Sequence, residues 1–135
     1  MHPPCGDISP VLWLSLPLRL ESVANLREHW GRRAARAKRE RRYVALALRA
    51  QYGSPPWPVE SPLRILLTRI APRQCDGDNL QSSCKACRDA IATWLRMDDG
   101  SSLLTWAYAQ RRGRVREYGV EIQIEAWYAT KEREQ

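Results

Sequence analysis

An α+β domain is the fold class this sequence predicts, and three observations predict it. Several short stretches read as strands, the first of them with apolar residues alternating at period two. Two longer segments between them read as helices, one basic and one amphipathic. The chain has 135 residues, 44% of them hydrophobic and 27% charged, which suits one compact domain that buries a core without staples. The predicted order is strand, helix, strand, helix, strand, strand, a mixed sheet packed by two helices in a single domain over 1–135.

Each element has its own reason. "VLWLSLPLRL" puts Leu12, Leu14, Leu16, Leu18 and Leu20 on one face of a strand. A basic helix is predicted from about Arg32 to Gln51. "GSPPWPVESP" is a turn, because its prolines cannot continue a helix and push the residues before them out of helical geometry. "LRILLTRI" is the second strand, ending at Ala71 and Pro72. A helix follows from about Asp78 to Arg96, with Leu80, Cys84, Cys87, Ile91, Trp94 and Leu95 as its apolar stripe. "MDDGSS" is a loop. "LLTWAYAQ" and "YGVEIQIEAW" are strands joined by "RRGRVRE", where Gly113 supplies the turn. Residues 1–10 and 129–135 are expected to be loose.

A net charge of +7 and a pI near 9.7 point to a polyanionic partner, nucleic acid first and an anionic membrane surface second. No apolar run is long enough to span a bilayer, and "MHPPCGDISP" lacks the regions of a signal peptide. A cytoplasmic protein is expected, with Cys5, Cys75, Cys84 and Cys87 reduced. Cys84 and Cys87 form a CxxC pair, but both fall on the apolar helix face and read as buried thiols. Neither His2 nor His29 supports a histidine-based site. Most of the six tryptophans read as core, in a chain without phenylalanine; Trp30, beside the basic helix, is a candidate to stack on unpaired bases.

Against this basic background, five of the six aspartates lie between positions 76 and 99: Asp76, Asp78, Asp89, Asp98 and Asp99. Hard divalent cations such as Mg²⁺ take carboxylate oxygens. Two aspartates at a strand end and another on a neighbouring loop suit such a site. At 100° per residue, Lys85 and Asp89 fall within about 20° of Asp78, so one polar helix face would carry all three. Helix capping by Asp78 and a turn at Asp98–Asp99 are the alternative for each acid taken singly.

"CDGDNLQSSCKACRDAI", followed by "LRMDDGS", resembles the RusA family of Holliday-junction resolvases, marked by Asp-x-Asp-Asn-Leu, a lysine with Asp-Ala-Leu or Asp-Ala-Ile, and then Asp-Asp. The likeness is densest from Asp76 to Asp99 and looser elsewhere, including a segment with Asn25. It implies a RusA-like fold and a homodimeric, Mg²⁺-dependent endonuclease, with Mn²⁺ as a substitute, that nicks four-way DNA in pairs during recombination and repair. It also implies a bacterial or prophage setting. By the same resemblance Asp76, Asp78 and Asp99 are the metal ligands, with Asp98 a neighbour of the third, and Lys85 is the catalytic lysine. Lys85 matches only if three extra residues are allowed after Leu80. Asp89 either orients that lysine or plays a structural part, pairing with Arg88 or a backbone group.

DNA affinity is expected from Arg32, Arg33, Arg36, Lys38 and Arg39 on the basic helix and from Arg111, Arg112 and Arg114 in the hairpin. Eight lysines and arginines fall between Arg27 and Arg42. If about six basic residues contact phosphates, binding falls with a log-log salt slope of about −5. Two other readings stay open: a noncatalytic DNA-binding protein, and a phage structural or assembly protein.

Overall fold

The computed structural model describes residues 11–21 and 30–126. Expectations that rest on His2, Cys5, Asn25, Arg27, His29 and the two termini lie outside the described residues. The chain folds as a single α+β domain in the order β1 (Val11–Leu16), α1 (Trp30–Tyr52), β2 (Leu63–Ala71), α2 (Gly77–Ser83), α3 (Lys85–Leu95), β3 (Leu104–Arg112) and β4 (Gly119–Ala126). The four strands form one mixed sheet in the order β1-β4-β2-β3. β2 and β3 run parallel, and β4 is antiparallel to both β1 and β2. Among the described residues no helix is long and apolar enough to cross a membrane.

Alternation of side chains along the strands decides which face is covered. Leu12, Leu14 and Leu16 pair in register with Ile124, Ile122 and Val120, which pair in turn with Ile65, Leu67 and Arg69 of β2. That face is buried with Val44 and Leu48 of α1 and Cys87, Ile91 and Leu95 of α3. The opposite face, with Trp13, Arg64 and Thr105, is exposed. Of the tryptophans expected in the core, Trp57 is buried and Trp94 and Trp106 are half-buried, whereas Trp13 is exposed. Trp13 points to the open face because its neighbours Leu12 and Leu14 occupy the covered one.

The amphipathic helix expected over 78–96 is two helices. Cys84 has φ −93° and ψ 1°, outside helical geometry, and its N–H bonds to the carbonyl three residues back, Gln81, at 3.1 Å. Ser83 adds to the break, since its hydroxyl donates to the Leu80 carbonyl at 2.7 Å and competes with helical bonding. The break falls between Leu80 and Lys85, where the extra residues lie relative to the shorter resemblance pattern. The apolar stripe survives it. Leu80, Cys84, Cys87, Ile91 and Leu95 are all buried. Burial pushes the Cys84 thiol up to about 11 and Cys87 higher still, so both are protonated core residues, as the sequence predicts.

Candidate functional site

Asp76 and Asp78 stand where β2 passes into α2, Asp98 and Asp99 on the loop between α3 and β3, and Asp89 within α3. At the carboxyl end of β2 the chain turns through 72–76 into α2. This turn is fixed by Gln110 of β3, whose side-chain N–H donates to the Cys75 carbonyl at 2.6 Å. The same amide's oxygen accepts from the Cys75 N–H at 3.0 Å. Asp76, next in the chain, is the helix N-cap, with one carboxylate oxygen accepting from the Asn79 N–H at 3.1 Å. Asp78 stands in the first turn of α2, and both acids are exposed.

The parallel register brings positive charge to the same end of the sheet. Ala71 pairs with Arg112, and the Gly113 N–H donates to the Ala71 carbonyl at 2.8 Å. The arginine-bearing β3–β4 hairpin therefore leaves the sheet beside the turn that carries Asp76 and Asp78. Arg112 and Arg114 are exposed, and Arg111 pairs with Glu121 at 3.2 Å. A Cβ at Gly113 would stand 2.8 Å from the Glu117 carbonyl oxygen, so the hairpin closes only around glycine. Nearby, Arg19 stacks on Tyr118 at 4.2 Å and lines a depression of about 330 Å³ with Arg73 and Arg116.

Asp98 and Asp99 lie on the loop that enters β3 from its amino end. Asp98 accepts from the Gly100 N–H at 3.0 Å, a local turn. Asp99 is held by a set of side chains. Its carboxylate accepts from Arg88 Nε at 3.0 Å, and its carbonyl accepts from Arg88 Nη2 at 3.1 Å and from the Trp106 indole at 2.9 Å. Arg88 also donates to the Tyr108 hydroxyl at 2.9 Å and lies 4.8 Å from the centre of the Trp106 ring. Desolvation works against the Arg88 charge, but Tyr108 and Asp99 outweigh it and raise the pKa above the usual arginine value. Beside this cage, Gly77, Leu80, Gln81, Trp106 and Tyr108 line an open depression of about 550 Å³.

Trp106, Tyr108 and Gln110 project on one face of β3. Trp106 anchors Asp99 and Gln110 anchors the Asp76 turn, so the two anchors are four residues, or about 13 Å, apart along the strand. Among the described residues no three His, Cys, Asp or Glu side chains are placed to hold one metal ion. The arrangement as it stands does not fit a cation shared by Asp76, Asp78 and Asp99.

Lys85 stands apart from this face. It opens α3, is 74% exposed, and its amine lies 3.6 Å from the Asp89 carboxylate. Both line a groove against α1, together with Trp30, Arg33 and Arg36. The break at Cys84 ends the single helical phase that would have aligned them with Asp78. Asp89 thus takes Lys85, and Arg88, named in the sequence only as a partner for Asp89, takes Asp99. On α1, Arg32, Arg33, Lys38 and Arg39 are exposed, while Arg36 is half-buried beside Glu40 at 3.7 Å. Glu40 occupies the core-facing stripe with Val44 and Leu48. Its burial raises the carboxyl pKa, an effect the neighbouring Arg36 opposes.

No protein-family model matches the chain, and no curated protein sequence does.

Proposed function

We propose that this chain is a RusA-like, Mg²⁺-dependent endonuclease that nicks four-way DNA junctions as a homodimer. The observation that carries the reading is the placement of Asp76 and Asp78 beside the β3–β4 hairpin, at the carboxyl ends of the parallel strands β2 and β3. Open sheets with parallel strands bind ligands outside those ends. There the hairpin arginines Arg112 and Arg114 are exposed to meet phosphates, and the two aspartates present oxygen donors of the kind Mg²⁺ takes. On α1, Arg32, Arg33, Lys38 and Arg39 are further exposed cations. A two-fold junction suits a two-fold protein.

The residues at this end of the sheet each have a part in this reading. The arginines position the DNA backbone, Asp76 and Asp78 supply the charge that a divalent ion offsets, and the Cys75–Gln110 clamp fixes where those carboxylates are presented. Mg²⁺, when bound, would supply Lewis-acid stabilisation of a phosphoryl oxygen. Lys85 lines the α1 groove and pairs with Asp89, so this reading gives it no part in the chemistry.

Cleavage of a synthetic four-way junction, against a linear duplex of the same sequence, tests the proposal. With Mg²⁺ or Mn²⁺ the wild type nicks the junction, and Asp78→Asn lowers the rate at least about a hundredfold while junction binding persists. Salt-sensitive binding without nicking in either metal would leave a noncatalytic DNA-binding protein. Failure to bind DNA at all would favour an assembly protein.

A further inference from the structure

The depression beside the β3–β4 hairpin is walled by four arginines, Arg19, Arg69, Arg73 and Arg116, against one acid, Glu21, which pairs with Arg19. Its volume of about 330 Å³ is at the small end of ligand-sized pockets. Arg69 is the unusual member. It projects from β2 on the covered face of the sheet and is only 8% exposed. Its Nε donates to the Leu20 carbonyl at 3.0 Å and its Nη1 to the Arg73 carbonyl at 2.9 Å. Nη2 has no partner among the described residues, yet it is not sealed from solvent. No carboxylate bonds to Arg69 among the described residues, so a full charge is held in the wall of the depression with carbonyl dipoles alone to offset it. A buried charge held in that way is costly, and an anion in the depression would offset it.

Resting on the DNA-binding half of the reading above, we propose that this depression is a phosphate subsite for the backbone of a nucleic-acid strand, with Arg69 as its fixed charge and Arg19, Arg73 and Arg116 around it. Several guanidinium forks lining one recess suit a phosphate held from more than one side. A flat anionic membrane surface would meet only the outer arginines. The position also ties the site to the candidate acids. Through Nη1, Arg69 holds the Arg73 carbonyl in the 72–76 turn, three residues before Asp76. A strand gripped there runs beside the turn that presents Asp76 and Asp78. Arg116 takes the left-handed backbone, φ 65°, a conformation that glycine adopts at less cost, so its side chain can be removed without harm to the turn.

Fluorescence anisotropy of a labelled four-way junction, in EDTA so that no nicking occurs, tests the subsite without reference to activity. Arg116→Gly is expected to keep its stability while junction affinity falls about tenfold and the salt slope shrinks by about 1. Arg73→Gln falls in the same way. Arg96→Gly is the matched control: Arg96 is exposed and left-handed at φ 60°, but it caps α3 outside the depression. Its junction affinity stays within about twofold of wild type. Arg69→Lys keeps the charge but loses the fork that spans Leu20, Arg73 and a ligand, and it too binds more weakly. Should it fail to fold by circular dichroism, Arg116→Gly and Arg73→Gln carry the test. Equal losses in Arg116→Gly and Arg96→Gly would reduce the effect to net charge and overturn the inference. So would a loss of affinity in Arg116→Gly for inorganic pyrophosphate, or for phosphatidylserine vesicles, with junction affinity unchanged: the pocket would then serve a free phosphate or a membrane. In each of these cases, junction nicking that still depends on Asp78 leaves the nuclease reading standing. If the wild type binds no DNA, both fall.

Discussion

The two loops of the β2–α2–α3–β3 unit both present aspartates, and they hold them in opposite ways. At the Asp76 turn the anchor is neutral: Gln110 grips the backbone of Cys75, and the acids themselves stay exposed with only a helix cap to satisfy. At the Asp99 loop the acid is the gripped group, neutralised by Arg88 and braced by Trp106. A neutral clamp on the backbone leaves carboxylates available to an incoming cation. A charged clamp on the carboxylate makes any incoming cation compete. The same residue type thus contributes accessible charge at one end of β3 and structural charge at the other.

Trp106→Ala should show the largest effect, because the cage loses both its stacking surface and the donor to the Asp99 carbonyl. For a half-buried tryptophan the expected loss is about 3 kcal/mol, read from urea unfolding. Hydrogen exchange should localise the loosening. The Gly100 and Ser101 amides, which bond to Asp98, lose protection, while Asn79 and Leu80, capped by Asp76, keep theirs. Equal loss at both loops would mean that they behave as one unit and that the contrast between them has no dynamic content.

Gln110→Ala attacks the neutral clamp. It removes both bonds to Cys75 and leaves two backbone groups of a partly buried residue without their partner, a cost of about 2 kcal/mol. Junction binding should persist, since the hairpin arginines are untouched, and nicking should fall because the Asp76 turn loses its anchor. Unchanged nicking would show that presentation of the acids does not depend on β3.

How much of this was legible in the sequence follows from the range of the interactions. Period-two alternation placed the first strand, and the polar–apolar pattern placed the stripe of Leu80, Cys84, Cys87, Ile91 and Leu95, because both are local and set by burial. The helix break at Cys84 was hidden, since no glycine or proline marks it and the competing bonds come from Ser83 and a tightened last turn. The Arg88–Asp99 pair was hidden for another reason. Its members are eleven residues apart, and Tyr108 is twenty from Arg88, so only the return of β3 beside α3 brings them together. Helical phase put Lys85 and Asp89 on one face, and the two are paired one turn apart. The local charge pair on α3 could be read from sequence, but the long-range partner of Asp99 could not.

Asp76 gives the smallest effect on stability and the finest test of the comparison, because a cap and a ligand make different demands of one side chain. Asp76→Ala removes the acceptor for the Asn79 N–H and should cost about 1 kcal/mol. Serine also caps a helix through a side-chain oxygen, so Asp76→Ser should recover most of that stability in the same unfolding measurement. A hydroxyl carries no negative charge and is a poor partner for a hard divalent ion. Junction nicking should therefore stay lost in Asp76→Ser although the helix start is restored. Were nicking to return with serine, Asp76 would be a cap and nothing more. The acid pair would then lose the role that sets its loop apart from the Asp99 cage.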